Sequence, residues 1–182
     1  MSMQMNTDKK MIILEGCDGS GKSTLAKQLS KDLDLPIAER AVTSENGPPS
    51  KAELIKWTYK ELADPTPKIY DRFPIFSDPI YARVLDRERF IGDGTIRHFH
   101  DEYRPLVVLC DPGFKVVEQN VLAEPQMPGV VENLPQLYAQ YRRLPFIDYI
   151  FDHTADHDDK LLGYGFLKTL MADYLTSEDY DG

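Results

Sequence analysis

Residues 16–23, Gly16-Cys17-Asp18-Gly19-Ser20-Gly21-Lys22-Ser23, follow the spacing Gly-x-x-x-x-Gly-Lys-Ser. Glycines at those places let a backbone curl until successive N–H groups point inward, and the positive end of a following helix adds to the same spot. That arrangement suits the oxygens of a polyphosphate. In it Lys22 reaches the β- and γ-phosphates, Ser23 offers a hydroxyl to Mg²⁺, and Thr24 is placed to touch the α-phosphate. Gly16, Asp18, Gly19, Ser20, Gly21, Lys22, Ser23 and Thr24 therefore form a candidate donor site for ATP with Mg²⁺.

A second group of reactive types is Tyr70-Asp71-Arg72-Phe73-Pro74. At the C-terminal end of a parallel strand these residues would face the ligand crevice. Asp71 there is suited to hold Mg²⁺ through water or to accept a proton, and Arg72 to clamp a phosphate with two hydrogen bonds. Asp111 also ends an apolar run, but Asp111-Pro112 reads as a helix cap followed by proline, so Asp71 is the preferred metal partner. His98-Phe99-His100-Asp101 would put two histidines on one face of a strand; glycines and charges around it favour a surface loop instead. The acidic run 152–159, with His153 and His157, reads as a turn and cap for the last helix, with contact to an adenine ring as the second option. Cys17 lies in the glycine-rich loop, where a nearby helix end is expected to lower its thiol pKa. Trp57 and Tyr59 read first as core residues and second as base-stacking ones.

The elements that must position these groups alternate. The run 10–15 (Lys-Met-Ile-Ile-Leu-Glu) reads as a buried strand, and residues 22–33 carry Leu25, Leu29 and Leu33 on one helical stripe. Asn46-Gly47-Pro48-Pro49 marks a loop. Residues 51–62 are expected to be helical, 68–71 a strand, and Asp78-Pro79 the start of a helix to about Arg89. Residues 106–110 (Leu-Val-Val-Leu-Cys) are the clearest buried strand. A helix after Asp111-Pro112 to about Leu122, a loop or lid at 123–131, a helix at 134–144, a strand at 146–151 and a helix at 160–175 complete the pattern. Strands separated by single helices imply an α/β fold, a parallel sheet of about five strands with helices on both faces.

At 182 residues, with 42% apolar and 28% charged residues, the composition fits one globular domain, expected over 10–176. Residues 1–9 read as a flexible leader without the apolar core of a secretory signal, and 177–182 as an acidic tail. No apolar run is long enough to span a bilayer, so no membrane partner and a cytoplasmic location are expected. Cys17 and Cys110, the two cysteines, are expected to be reduced. The net charge of −9 counts against coating nucleic acid, though not against action at a single base or terminus.

The two reactive segments resemble the thymidylate kinases among the nucleoside monophosphate kinases. Residues 13–24 (Ile-Leu-Glu-Gly-Cys-Asp-Gly-Ser-Gly-Lys-Ser-Thr) look like that family's opening strand and loop, and Asp71-Arg72-Phe73 like its Asp-Arg-aromatic motif. Ser77 and Tyr81 resemble the Ser and Tyr that follow it with altered spacing, and residues 136–144, with Tyr141, resemble the segment after the lid. The resemblance implies transfer of the ATP γ-phosphoryl group to the 5′-phosphate of a deoxynucleoside monophosphate, a small nucleotide substrate, dTMP or a related pyrimidine first. It implies Lys22, Asp71, Arg72 and Asp18 as catalytic residues, Ser23 and Asp71 at the metal, and Arg72, Phe73, Ser77, Tyr81 and Trp57 around the acceptor. It also raises a homodimer, although no exposed apolar helix stands out. Departures are specific. Gly19 stands where the family carries a loop arginine, and no arginine lies between Ala123 and Val131. Arg83, Arg87, Arg142 and Arg143 are the substitutes. Glu39-Arg40-Ala41-Val42 stands near the place of the family's Arg-Glu-Pro-Gly segment. Two other readings stay open: phosphorylation of a hydroxyl, on a nucleoside or a hydroxymethylated base in DNA, and a nucleotide-dependent switch without a small-molecule acceptor.

Overall fold

The computed structural model describes residues 8–41, 50–92, 94–155 and 157–177. Most of the expected leader, the Asn46-Gly47-Pro48-Pro49 turn and residues 178–182 of the tail lie outside the described residues.

Among the described residues the elements run β1 (Met11–Glu15), α1 (Lys22–Leu33), α2 (Lys51–Ala63), β2 (Lys68–Asp71), α3 (Pro74–Val84), α4 (Thr95–Tyr103), β3 (Leu106–Cys110), α5 (Phe114–Ala123), α6 (Leu134–Tyr141), β4 (Tyr149–Phe151) and α7 (His157–Thr176). The four strands pair in parallel in the order β2-β1-β3-β4. About five strands were expected and four form; beyond β2 the sheet adds one parallel bridge, Ile37 to Ile69, beside which Ala38 N–H donates to Ile69 O at 2.9 Å. Pro36 just before it has no N–H to extend the pairing.

Alternation along the strands sorts two faces. Ile12, Leu14, Ile69, Leu106, Val108, Cys110 and Phe151 pack with Leu25, Ala26 and Leu29 of α1 and Leu167, Met171 and Tyr174 of α7. Met11, Ile13, Tyr70 and Val107 face the other way, toward Leu62, Ile75, Phe76, Phe99 and Tyr103 of α2, α3 and α4. Leu109 continues that face into a third cluster with Cys17, Val117, Val121, Leu137 and Tyr141. The α/β class, the parallel sheet and helices on both faces are as the alternating pattern requires.

Several boundaries differ from expectation, each for a local reason. Helix α3 begins at Pro74 after Phe73, with Pro79 inside it. Asp78 is not a cap; its carboxylate accepts the N–H groups of Phe90 and Ile91, both at 2.9 Å, and pins the chain that follows the helix. Pro74 also suits the first turn of a helix, and Ile75 and Phe76, which follow it, are both buried. Residues 95–103 are helical, not a loop, because Phe99 and Tyr103, four apart, share one buried side. Asp111-Pro112 does not cap α5, whose preceding residue is Gly113. Strand β4 starts three residues later than expected; Phe146, at φ 62, lies outside the extended region. Helix α6 stops at Tyr141. In the 123–131 segment Val130 is fully buried and packs in the third cluster, with Met127 packed against it, so that stretch is anchored on the core.

Leu29 is fully buried in the first cluster, whereas Leu122 on α5 is 68% exposed. Leu29→Ala should lower the unfolding free energy by about 2–5 kcal/mol, and Leu122→Ala should change it by no more than about 0.5 kcal/mol, both read by urea denaturation.

Candidate functional site

Each strand in the sheet ends at the same edge, where β1 gives way to residues 16–21, β2 to Arg72, β3 to Asp111 and β4 to Asp152. The glycine-rich loop is held there by contacts that leave little room. Gly19 has φ 75, and a Cβ on it would lie 2.9 Å from Val117 O and 3.0 Å from Asn120 Cβ. A larger residue, such as the arginine that the resembled family carries there, would strike α5. Asn120 Nδ2 donates to Gly19 O at 2.8 Å and ties α5 to the loop. A Cβ on Gly21 would meet His153 Cε1 at 3.0 Å. The loop after β4 therefore lies against the phosphate loop. Thr154 Oγ1 donates to Pro112 O at 3.3 Å and fastens that loop to the end of β3.

Lys22 is buried, and its ammonium donates to Gly16 O at 2.9 Å, Cys17 O at 2.6 Å and Ser20 Oγ at 3.1 Å. Burial lowers its pKa, and Arg72 acts in the same direction. Thr24 is exposed at the start of α1. Ser23 Oγ donates to Asp71 Oδ2 at 2.7 Å. Burial works to raise the Asp71 carboxyl, but the Ser23 hydrogen bond, Lys22 and Arg40 outweigh it and hold the group below the ordinary aspartate value. An ionised carboxylate only 7% exposed, bonded to a serine hydroxyl at the start of a helix, is a hard-oxygen donor set of the kind Mg²⁺ takes. Asp111 is engaged elsewhere: it accepts from Tyr138 Oη at 2.5 Å and pairs with Arg142 Nε at 3.2 Å.

Arg72 folds back over the loop. Its guanidinium donates to Asp18 Oδ1 at 2.9 Å and to Gly16 O at 3.3 Å, and it stands over the rings of Tyr81 and Tyr141 at 5.0 and 5.9 Å. Its backbone sits at φ 71, a left-handed conformation that a branched chain of contacts must impose. Asp18 also accepts from Tyr81 Oη at 2.5 Å. Burial acts to raise the Asp18 carboxyl, but Arg72, Lys22 and these hydrogen bonds hold it at about 2. Asp18, Arg72 and Tyr81 therefore form one connected unit, as their sequence positions alone did not require.

The other expected acceptor residues divide. Ser77 Oγ donates back to Phe73 O at 3.4 Å. Phe73 is fully buried, with ring centroids 5.1 Å from Tyr70, 5.6 Å from Trp57 and 5.2 Å from Phe99; it is a core residue and does not line an open surface. Trp57 packs on the same cluster, and its indole N–H donates to Glu39 O at 3.1 Å. Among the substitute arginines, Arg83 bonds Gln140 Oε1 at 3.3 Å, Arg142 pairs with Asp111, and Arg87 stacks on the Tyr81 ring at 5.3 Å. His98 pairs with Glu102 at 3.1 Å and His100 stacks on Phe146 at 4.2 Å, so they do not converge. No cluster of three potential metal ligands among His, Cys, Asp and Glu occurs among the described residues.

Two neighbours of the site, Arg40 and Glu15, were named in the sequence analysis without being read as site residues. Arg40 reaches in from beyond the Ile37 bridge and donates to both Ser23 Oγ at 2.7 Å and Asp71 Oδ2 at 2.5 Å. Glu15, the last residue of β1, is fully buried; one carboxyl oxygen accepts from Phe73 N–H at 2.8 Å, and the other has no hydrogen-bond partner. Burial pushes Glu15 up to about 7, against the Phe73 N–H and the charges of Arg72 and Lys22. The only signal for Glu15 in the sequence was a carboxylate closing an apolar run.

No protein-family model matches the chain. The SPbeta prophage-derived uncharacterized protein YorR of Bacillus subtilis (strain 168) is 33% identical over 94 residues, which is 52% of this chain and 55% of that protein. The matched stretch thus spans about half the length of that curated relative. The crystal structure of YorR in complex with phosphorylated GDP aligns with a TM-score of 0.68 at 21% identity, covering 93% of this chain and 99% of that one. The fold is that of the P-loop kinases. Deoxyadenosine kinase from M. mycoides, with products dCMP and a flexible dCDP bound, aligns at TM-score 0.53 and 17% identity, over 93% of this chain and 100% of that one. Shikimate kinase from Acinetobacter baumannii in complex with shikimate aligns at 0.54 and 14%, over 92% and 96%. No helix among the described residues is long and apolar enough to cross a membrane.

Two outcomes follow from burial at this site. Both cysteines are buried and unpaired, and burial pushes each thiol up to about 12, which reverses the expectation of an activated Cys17. Iodoacetamide at pH 8 should leave the native protein unmodified and alkylate both thiols in urea, as read by intact mass. Glu15 keeps its proton in the fold up to about pH 7, whereas the ordinary value is 4.5. The folded state then binds more protons across that window, so this group's contribution to stability falls as pH rises through it. Glu15→Gln should flatten the loss of stability between pH 5 and 8, by an amount on the order of a few kcal/mol, measured by denaturation at each pH.

Proposed function

We propose that this chain is an ATP- and Mg²⁺-dependent phosphotransferase that passes the γ-phosphoryl group to the 5′-phosphate of a deoxynucleoside monophosphate, dTMP or a related pyrimidine, giving the diphosphate. The observation that carries the proposal is the meeting of Lys22, the Ser23–Asp71 pair and the Asp18–Arg72 pair at one end of the sheet. Mg²⁺, when bound, supplies charge neutralisation between phosphate oxygens. Ser23 and Asp71 are the residues that would hold it. Lys22 exchanges the loop carbonyls it now contacts for phosphate oxygens, a trade that keeps its charge paired in a buried place. Asp18 and Tyr81 orient Arg72, whose guanidinium meets the negative charge of the acceptor phosphate. The segment 123–131 serves as the lid that excludes water, so that ATP is not spent on hydrolysis.

A second reading is a hydroxyl acceptor, as on a nucleoside. Asp71 is held ionised at neutral pH, as a proton acceptor must be, while the Arg72 guanidinium is already engaged by Asp18. The folds with which the chain aligns include a deoxyadenosine kinase and a shikimate kinase.

ADP release with ATP and Mg²⁺, measured against deoxynucleoside monophosphates, nucleosides, hydroxymethylated forms and short DNA, separates the two. One monophosphate should stimulate turnover. Lys22→Ala should reduce it about 10²-fold or more, and Arg72→Ala should abolish stimulation by that acceptor. Stimulation by a nucleoside alone, lost in Asp71→Asn, would replace the monophosphate reading with the second one.

A further inference from the structure

The Ser23–Asp71 pair already has a cation on it. One Arg40 nitrogen donates to Ser23 Oγ at 2.7 Å and to Asp71 Oδ2 at 2.5 Å, while Ser23 itself donates to that same carboxylate oxygen. The partners are unlike in burial: the Arg40 side chain is 62% exposed and that of Asp71 is 7% exposed. A buried carboxylate needs a positive neighbour, whereas an exposed guanidinium is free to leave for water. Arg40 is also not built into the sheet. The ladder beyond β2 ends at the Ile37–Ile69 bridge and the Ala38 N–H, two residues earlier. A cavity of about 300 Å³, lined by Ser23, Lys27, Ile37, Ala38, Arg40 and Asp71, gives the side chain room to swing aside.

We propose that Arg40 and the divalent cation occupy the Ser23–Asp71 oxygens in turn, so that Arg40 sets the Mg²⁺ concentration at which the protein takes up nucleotide. The proposal rests on Ser23 and Asp71 being the metal partners in the function proposed above. The physical reason is direct. A guanidinium and Mg²⁺ held on the same two oxygens would stand within a few ångströms of each other as like charges in a partly desolvated place, and the carboxylate oxygen that Arg40 uses already accepts from Ser23. One cation must go before the other arrives. A built-in reporter lies next to the arm: Trp57, the chain's single tryptophan, donates its indole N–H to the carbonyl of Glu39, the residue before Arg40.

The test is ADP binding by calorimetry across a Mg²⁺ series, with Trp57 emission followed in parallel. Arg40→Gln should lower the half-saturating Mg²⁺ concentration fivefold or more and leave ADP affinity in EDTA within twofold of the wild type. Arg40→Lys, which keeps the charge, should stay within twofold of the wild type in Mg²⁺ requirement. Mg²⁺ with ADP should change wild-type Trp57 emission and change that of Arg40→Gln much less. An unchanged Mg²⁺ midpoint in Arg40→Gln overturns the proposal and leaves Arg40–Asp71 as an ordinary surface ion pair. Loss of ADP affinity at saturating Mg²⁺ in the same variant also overturns it, because Arg40 would then be a nucleotide contact. If wild-type ADP binding shows no Mg²⁺ dependence at all, the metal assignment itself falls, and this inference with it.

Discussion

The turn from β1 into α1 must present backbone N–H groups to one point, and most of the surrounding architecture depends on that constraint. Half of residues 16–21 are glycines, and the side chains that remain, Cys17, Asp18 and Ser20, are each held by a neighbour. The loop is also crowded from outside, by α5 through Val117 and Asn120, by the end of β3 through Cys110, and by the β4 loop through His153. The parallel sheet makes this possible, because every strand delivers its C-terminal end to the same edge. The loop's rigidity is thus a property of the sheet's connectivity as much as of its glycines.

Charge follows from the same crowding. Glu15, Asp18, Lys22, Asp71 and Arg72 all lie within or beside the loop, where burial opposes each charged form. The acids separate according to their partners. Asp18 and Asp71 each have an arginine and a hydroxyl and stay ionised, whereas Glu15 has one N–H and an unpartnered oxygen and keeps its proton to about pH 7.

The phosphate loop, the Asp71-Arg72 step and the alternation of strand and helix were legible because each is local. The first is a spacing, the second an adjacency, and the third a periodicity that side-chain burial enforces residue by residue. Helix starts were less legible: Asp78-Pro79 and Asp111-Pro112 carry a cap-and-proline signal, yet α3 starts at Pro74, where Ile75 and Phe76 are buried, and α5 starts after Gly113. Helix α4 was hidden because its two apolar anchors, Phe99 and Tyr103, sit among histidines and acids that face water.

By itself, then, the sequence determined the α/β class, the donor loop and the two residues, Ser23 and Asp71, whose types suit a metal. These follow from backbone conformation and residue chemistry within short windows. Only the tertiary structure decided that Arg72 turns inward to Asp18 and Tyr81, that Phe73 belongs to the core, that Asp111 is taken by Arg142 and Tyr138, and that Arg40 stands on the Ser23–Asp71 pair. The hydrogen bonds, ion pairs and ring stack among those contacts join residues between 17 and 63 positions apart. A side chain's direction across such a gap is set by how the helices seat on the sheet, and no spacing along the chain encodes that.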